Sequence, residues 1–319
     1  MRALIMESFE VGPRVCEVAV PEPGPNEVLV RVQAGSINPV DVAVTFGALK
    51  EMYEHAFPIT LGRDFAGVVE ATGDAVARFA PGDDVFGFVH IADPVVRAGS
   101  FADYIVAAED SAIARRPIDL GVREAAVLPL SGTAALLSVE AVDPNPGDVV
   151  LVSGATGGVG RNAVQLAAAR GASVIATGLP ADAAELEELG ANDVIDYTGD
   201  VAVAVRERHP DGIAGLVYLV QPPGGFASQA GLVAMGGRVA TTVHAADVDA
   251  LAASAITATN ISAAADPALI ERLGELAVSG VLTPRIERIY ALDDVPDGFG
   301  HIVSGHARGK LAVTIAARA

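Results

Sequence analysis

Cysteine is nearly absent, Cys16 being the single one. It has no partner for an internal disulfide and cannot by itself build a thiolate zinc site, so the expected compartment is the cytoplasm. Positive charge is scarce too: 21 Lys and Arg stand against 40 Asp and Glu, a formal net charge of −19. That balance repels phosphate backbones and anionic lipid, which argues against nucleic acid or a membrane surface as partner. Nor is there a long unbroken apolar run. Glu7 and Glu10 interrupt the N-terminus before a signal-peptide core forms, and the most apolar later stretch, 125–142, carries Pro129, Gly132 and Glu140. With 51% hydrophobic and 19% charged residues, the 319-residue chain has a globular composition and room for two domains of about 150 residues each.

What is present centres on 148–172. Val149 to Val152 is a continuous apolar run of the kind found in strands buried on both faces, and after Gly160 the residues Ala163, Val164, Leu166 and Ala167 continue at helical spacing. Between them Ala155-Thr156-Gly157-Gly158-Val159-Gly160 is G-x-G-x-x-G with Ala in first place, preceded by Gly154. Glycine patterns say little in a chain with 34 glycines. Here, however, the turn lies between a strand and an amphipathic helix that stops at Gly171, and a second strand, 173–177, follows. That is a whole βαβ unit, the context in which the helix N-terminus binds a dinucleotide pyrophosphate.

The first third reads differently. Segments 14–20, 26–34, 65–71, 83–89 and 100–107 are short and Val-rich, with alternation clearest at Val28, Val30 and Val32. Pro21-Glu22-Pro23-Gly24-Pro25, Thr72-Gly73-Asp74 and Pro81-Gly82-Asp83 punctuate them, and strands so spaced predict a partly closed antiparallel barrel. After Arg116-Pro117 the period changes. Residues 120–142 read as helix, and from Val149 strands at 194–197, 216–220, 238–243 and 256–261 alternate with helices, which predicts a doubly wound parallel sheet. Asp266-Pro267 supplies an N-cap and an N1 proline for a helix ending near Ser279 with Gly280 as its stop. The tail regains β-character at 286–290 and 311–315 around a short helix at 294–304, and is expected to rejoin the first domain. The expected domains are therefore 1–117, completed by 284–319, and 118–283.

Ser36-Ile37-Asn38-Pro39-Val40-Asp41, Leu61-Gly62-Arg63-Asp64-Phe65-Ala66-Gly67, Pro81-Gly82-Asp83-Asp84-Val85, Gly99 to Tyr104, Leu128-Pro129-Leu130-Ser131-Gly132, the glycine turn and Gly309-Lys310 occur in one order along the whole chain. In these motifs the sequence resembles the zinc-independent branch of the medium-chain dehydrogenase/reductase superfamily, the quinone oxidoreductases and related enoyl reductases. The resemblance implies a GroES-like barrel-like catalytic domain, a Rossmann domain inserted before its last strands, and often a homodimer paired through the Rossmann sheet edge. It also implies hydride transfer from a nicotinamide cofactor to a quinone or α,β-unsaturated carbonyl. Where zinc-dependent relatives place a cysteine ligand this chain has 36–38, and where they place Gly-His-Glu it has Gly62-Arg63-Asp64; their four-cysteine lobe is missing. Of the histidines, 55, 90, 209, 244, 301 and 306, only His301 and His306 lie close together, so no catalytic metal is expected.

Asn38 matches the position lining the nicotinamide pocket, with a plain turn residue as the alternative, and Asp41 reads as a cap for a helix beginning at Val42 rather than a base. Relatives commonly carry an arginine and a tyrosine where this chain has Thr45 and Leu49; Tyr53, four residues on, is the substitute candidate, with simple ring packing the alternative. The relatives' Gly-Leu-Thr-Ala run becomes Gly132-Thr133-Ala134-Ala135. Candidate cofactor contacts are Asn38, Gly154, Ala155, Thr156, Gly157, Gly158, Val159 and Gly160. Thr177, Tyr197, Val220 and Val243, the last residues of expected strands, and Lys310 complete the set. The second strand ends at Thr177 with no carboxylate for the ribose hydroxyls, Asp182 being the nearest acid, so NADP is expected over NAD; Arg170 and Arg206 are the distant cations. Two classes stay open: an NADPH-dependent reductase, or a dinucleotide-binding redox sensor or partner protein with little turnover.

Overall fold

The computed structural model describes residues 1–90, 99–221, 224–305 and 307–315, so His306 lies outside the described residues. The chain divides into two compact units, Met1–Leu130 with Ala264–Ser279 and Pro284–Ala319, and Ser131–Ala263 with Gly280–Thr283.

The first unit begins with β1 (Arg2–Met6), β2 (Arg14–Glu17), β3 (Glu27–Ile37), α1 (Pro39–Thr45), β4 (Ile59–Thr60) and β5 (Asp64–Thr72). It continues through β6 (Asp84–Phe88), β7 (Tyr104–Ala108), β8 (Ile113–Arg115) and α2 (Val122–Ala126). Helix α3 (Pro129–Val142) leads into the second unit, which holds β9 (Val149–Ser153), α4 (Gly158–Ala169), β10 (Ser173–Gly178), α5 (Ala183–Glu188), β11 (Ala191–Asp196) and α6 (Val201–Arg208). It ends with β12 (Ile213–Tyr218), α7 (Phe226–Ala230), β13 (Val233–Thr241), α8 (Val248–Ala252) and β14 (Thr257–Asn260). The chain then returns to the first unit for α9 (Pro267–Val278), β15 (Ile286–Ala291), α10 (Val295–Val303) and β16 (Lys310–Thr314).

In the first unit the sheet order is β15-β16-β3-β5-β6-β8, with β7 also on β3, beside a smaller β2-β1-β4 sheet. Val28, Val30 and Val32 all lie in the core with Phe65, Val85, Phe101, Ile113 and Leu311. The tail does rejoin this unit: β16 pairs antiparallel with β3, Leu311 opposite Ile37. Three strands escaped the sequence, β1, β4 and β8, the last two being only two and three residues long. The strand expected at 100–107 starts at Tyr104. Residues before it are tied down singly, Phe101 N–H donating to Leu61 O and Leu4 N–H to Phe101 O.

Helix α9, which the change of period had placed with the Rossmann part, belongs to the first unit. Its Gly274 lies so close that an added Cβ would sit 3.0 Å from Pro117 Cγ and 3.2 Å from Phe86 Cζ, and Arg78 pairs with Glu271 at 2.9 Å. Asp266 caps it as expected, accepting the Leu269 N–H at 2.9 Å.

The second unit is a parallel sheet in the order β11-β10-β9-β12-β13-β14. From β9 the chain winds one way to β10 and β11, then crosses to β12 and winds the other way, so β9 and β12 flank a topological switch point. In doubly wound sheets ligands bind outside the carboxyl ends of the strands at that point. Among the described residues no helix is long and apolar enough to cross a membrane.

Candidate active site

In the second unit the glycine turn leaves the carboxyl end of β9. Gly154 adopts φ +88°, where an L side chain is strained, and an added Cβ would meet Leu219 and Val220 at 3.3 Å, past the end of β12. Gly154 N–H donates to Thr177 Oγ1 at 2.9 Å. Thr177, only 2% exposed, therefore fastens the turn to β10. The glycines of the motif have separable roles. At Gly160 a Cβ would fall 2.1 Å from Gly154 O, so only glycine allows α4 to approach β9 this closely. At Gly157, the N-cap of α4, a Cβ would meet nothing among the described residues but Gly154 O at 3.7 Å. Directly after it comes the first turn of α4, where Gly158, Val159 and Gly160 have no carbonyl one turn back to accept their N–H groups. The arrangement fits a pyrophosphate held on the helix N-terminus. Ala155 is fully buried beneath it.

Tyr197, Val220 and Val243 lie one or two residues beyond β11, β12 and β13, not inside them, and so along the same carboxyl edge. Tyr197 is 47% exposed there. At the end of β10, Asp182 is buried and its Oδ2 accepts the Leu179 N–H at 2.9 Å, closing a 3-10 turn over Pro180–Asp182. The two cations named from sequence are at the wrong end. Arg170 is the C-cap of α4, roughly 18 Å from the turn at 1.5 Å per residue, and pairs with Glu140 and Asp143. Arg206 is in the last turn of α6, whose end leads into β12 at the opposite edge of the sheet.

In the first unit the N-P-x-D segment forms a buried polar cluster. Asn38 is the N-cap of α1 with Pro39 at N1, so the helix starts three residues before the Val42 start expected from sequence. Asp41 sits at N3, where its Oδ2 accepts the Asn38 N–H at 2.8 Å, closing one half of a capping box. Asn38 itself is 4% exposed and its amide is engaged on both sides. Oδ1 accepts from Lys310 Nζ at 2.5 Å, while Nδ2 donates to Asp64 Oδ2 at 2.9 Å and Ser36 O at 3.3 Å. Asp64 Oδ2 also accepts from Ser36 Oγ at 2.5 Å, and its Oδ1 accepts the Leu130 N–H. The sequence placed Asn38 along the nicotinamide pocket, or in a plain turn, and Lys310 at the cofactor; in the structure the two are hydrogen-bonded directly to each other and share Asp64, a residue marked only as a departure from the zinc motif.

Two cations, Lys310 and Arg63, face two carboxylates, Asp64 and Asp41. Burial pulls the Lys310 ammonium down, opposed by Asp64 and Asp41. Burial likewise lowers Arg63, with Asp41 and Tyr53 acting the other way. Asp41 is pushed up to about 7, chiefly by burial and further by Asp64, against the pull of Arg63, the Asn38 N–H and Lys310. Its Oδ1 and the Arg63 Nε have no hydrogen-bond partner among the described residues. Thr45, at one of the altered positions, is buried and bonds to Asp41 O at 2.8 Å; Leu49 and Tyr53 pack against the core from the loop after α1.

Comparisons with known proteins agree with this architecture. Residues 24–117 match the alcohol dehydrogenase GroES-like domain and residues 189–313 the zinc-binding dehydrogenase family. The chain is similar to a mitochondrial NAD(P)H oxidoreductase, RTN4IP1 of Bos taurus, at 31% identity over 91% of this chain and 82% of that protein. It is also similar to the 2-methylene-furan-3-one reductase of Solanum lycopersicum, at 30% identity over 93% and 74% of the respective chains. The solved quinone oxidoreductase of Coxiella burnetii superposes with a TM-score of 0.87 at 27% identity, covering 99% of both chains. The strand order, the glycine turn and this likeness along the chain together establish that it belongs to the medium-chain dehydrogenase/reductase superfamily, among its NAD(P)H-dependent oxidoreductases of the quinone oxidoreductase kind.

Proposed function

We propose that the protein is an NADPH-dependent reductase that passes hydride to a quinone or an α,β-unsaturated carbonyl without a metal. The observation that carries this reading is the open space at Gly157, directly before the free first turn of α4, at the switch point of the sheet. The names of the Bos taurus, tomato and Coxiella relatives support the same reaction class. NADPH supplies the hydride. The protein's share is to hold the pyrophosphate on Gly157–Gly160, and to hold the acceptor near Asn38 and Tyr53 so that its oxygen, gaining electron density, meets hydrogen-bond donors. With its amide fixed by Lys310 and Asp64, Asn38 presents a rigid wall there.

NADPH is preferred to NADH because the end of β10 carries no carboxylate free to bind ribose hydroxyls, Asp182 being engaged with Leu179 N–H. Metal independence is proposed because 36–38 and Arg63 stand where zinc-dependent relatives place ligands, and Arg63 already supplies a buried positive charge. A cytoplasmic homodimer, paired through the outer strand β14, completes the proposal.

A second reading, a dinucleotide-binding protein with little turnover, draws on one observation: Asn38 and Lys310, 4% and 6% exposed, direct their polar groups to each other. Oxidation of NADPH and NADH against a panel of quinones and 2-enones separates the two. Turnover with any acceptor supports the reductase; cofactor binding with none supports the second reading.

A further inference from the structure

Several large apolar side chains of the first unit stand in solvent on two loops: Phe9 at 38% and Val11 at 47% exposure on one, Phe46 at 69% and Met52 at 64% on the other. The loops form one platform. Gly47, at φ +67°, lets Phe9 lie against its backbone, where a Cβ would come within 3.1 Å of Phe9 Cε1. The Phe9 ring also stands 5.0 Å from His55 and 5.0 Å from Phe57, the latter edge-on. From below, Leu49, Tyr53 and Phe57 anchor the second loop in the core. An exposed apolar surface with a fixed underside marks a binding face.

The surrounding charges narrow the occupant. Exposed Glu7, Glu10, Glu51 and Glu54 neighbour the platform residues in sequence, against Lys50 and Arg14, and Arg14 is paired with Glu7 at 2.8 Å. The rim is negative on a chain of net charge −19, so phosphate-bearing groups and anionic lipid surfaces are repelled. A neutral hydrocarbon chain is not. Helix α1 supplies the distance, because its N-cap is Asn38 and its C-cap is Phe46. Its seven residues span about 10 Å at 1.5 Å each.

We propose that this platform receives the uncharged apolar tail of the acceptor. On the reductase reading, on which this rests, the reducible ring or alkene lies by Asn38 and the tail runs along α1 to Phe46, Met52 and Phe9. The preferred acceptors are then quinones or enones carrying a neutral hydrocarbon chain, in place of short polar ones or coenzyme A thioesters.

The test is equilibrium binding, by calorimetry, of a decyl-substituted benzoquinone and its methyl counterpart to the parent and to a Phe46→Ser, Met52→Ser double variant. Steady-state NADPH oxidation and sedimentation are run on the same samples. Both side chains are largely in solvent, so the variant keeps its fold. The parent should bind the decyl compound at least roughly tenfold more tightly than the methyl one, and the variant should lose most of that ratio with methyl binding changed by no more than about twofold. An equal ratio in both proteins, or equal binding of both quinones by the parent, overturns the proposal. A shift in sedimentation of the variant also overturns it, and makes the platform a contact between chains. Tail-dependent binding with no NADPH oxidation by these quinones or by any member of the quinone and 2-enone panel would leave the platform standing and remove the reductase reading; turnover indifferent to the tail would do the reverse.

Discussion

Asp41 makes the folded protein sensitive to pH in a calculable direction. It is 1% exposed, with one carboxylate oxygen on the Asn38 N–H and the other without a partner among the described residues, and its pKa is raised from 3.8 to about 7, mainly by burial. Between those values the unfolded chain has released the proton while the folded chain keeps it. Stability from this group is therefore complete below about pH 4, falls as pH rises, and is lost above about pH 7, the reverse of a salt-bridged carboxylate. A rise of about three units at about 1.4 kcal/mol each sets a ceiling of about 4 kcal/mol, a rise in which the opposing pull of Arg63 and Lys310 is already contained. Asp41→Asn keeps an oxygen to accept the Asn38 N–H and removes the ionisation. Urea denaturation of parent and variant should show the variant gaining about 2 to 3 kcal/mol on the parent between about pH 5 and about pH 8. Parallel curves would refute the assignment of a buried titrating carboxyl at this position.

Gly157→Val should fold normally, since its Cβ points into open space, yet weaken NADPH binding about tenfold or more, or about 1.4 kcal/mol; unchanged affinity would sink the pyrophosphate assignment. Gly160→Ala should instead destabilise the second unit, its Cβ falling 2.1 Å from Gly154 O, and a thermal melt like the parent's would contradict that packing. Asn38→Ala strips Lys310 and Asp64 of a partner, which predicts a stability loss of about 1 to 3 kcal/mol and a drop of roughly one to two powers of ten in kcat/KM; parental kinetics would take Asn38 out of the site. Exhaustive chelation should leave turnover intact, and activity lost and then restored by zinc would overturn metal independence.

Local chemistry carried much of this structure in the sequence. The run Val149 to Val152, the glycines and the apolar spacing after Gly160 describe a strand, a turn and a helix within one short segment, and β9, the turn and α4 follow it closely. Asp266-Pro267 marks the start of α9 for the same reason, a cap whose partners are three residues away. The buried cluster could not be read this way. Ser36 meets Asp64 across 28 positions and Asn38 meets Lys310 across 272, pairings created only when β3, β5 and β16 align. The turn around Asn38 is visible in its own segment, but its neighbours Asp64 and Lys310 are not. The start of α1 was within reach, because Asn-Pro-x-Asp places a cap, an N1 proline and an N3 acceptor in order. Strand β4, with two residues, has no period to detect.

Transfer of a hydride from NADPH to an electron-poor acceptor is the step on which the reductase reading depends. It is tested most directly by incubating the protein with NADPH deuterated at the transferable C4 position and a 2-enone, followed by mass spectrometry of the product. The account predicts a saturated carbonyl carrying the label on its β-carbon, formed by the parent and sharply reduced in Gly157→Val. Tight NADPH binding with no labelled product from any enone, and no oxidation of NADPH by any quinone, would contradict it.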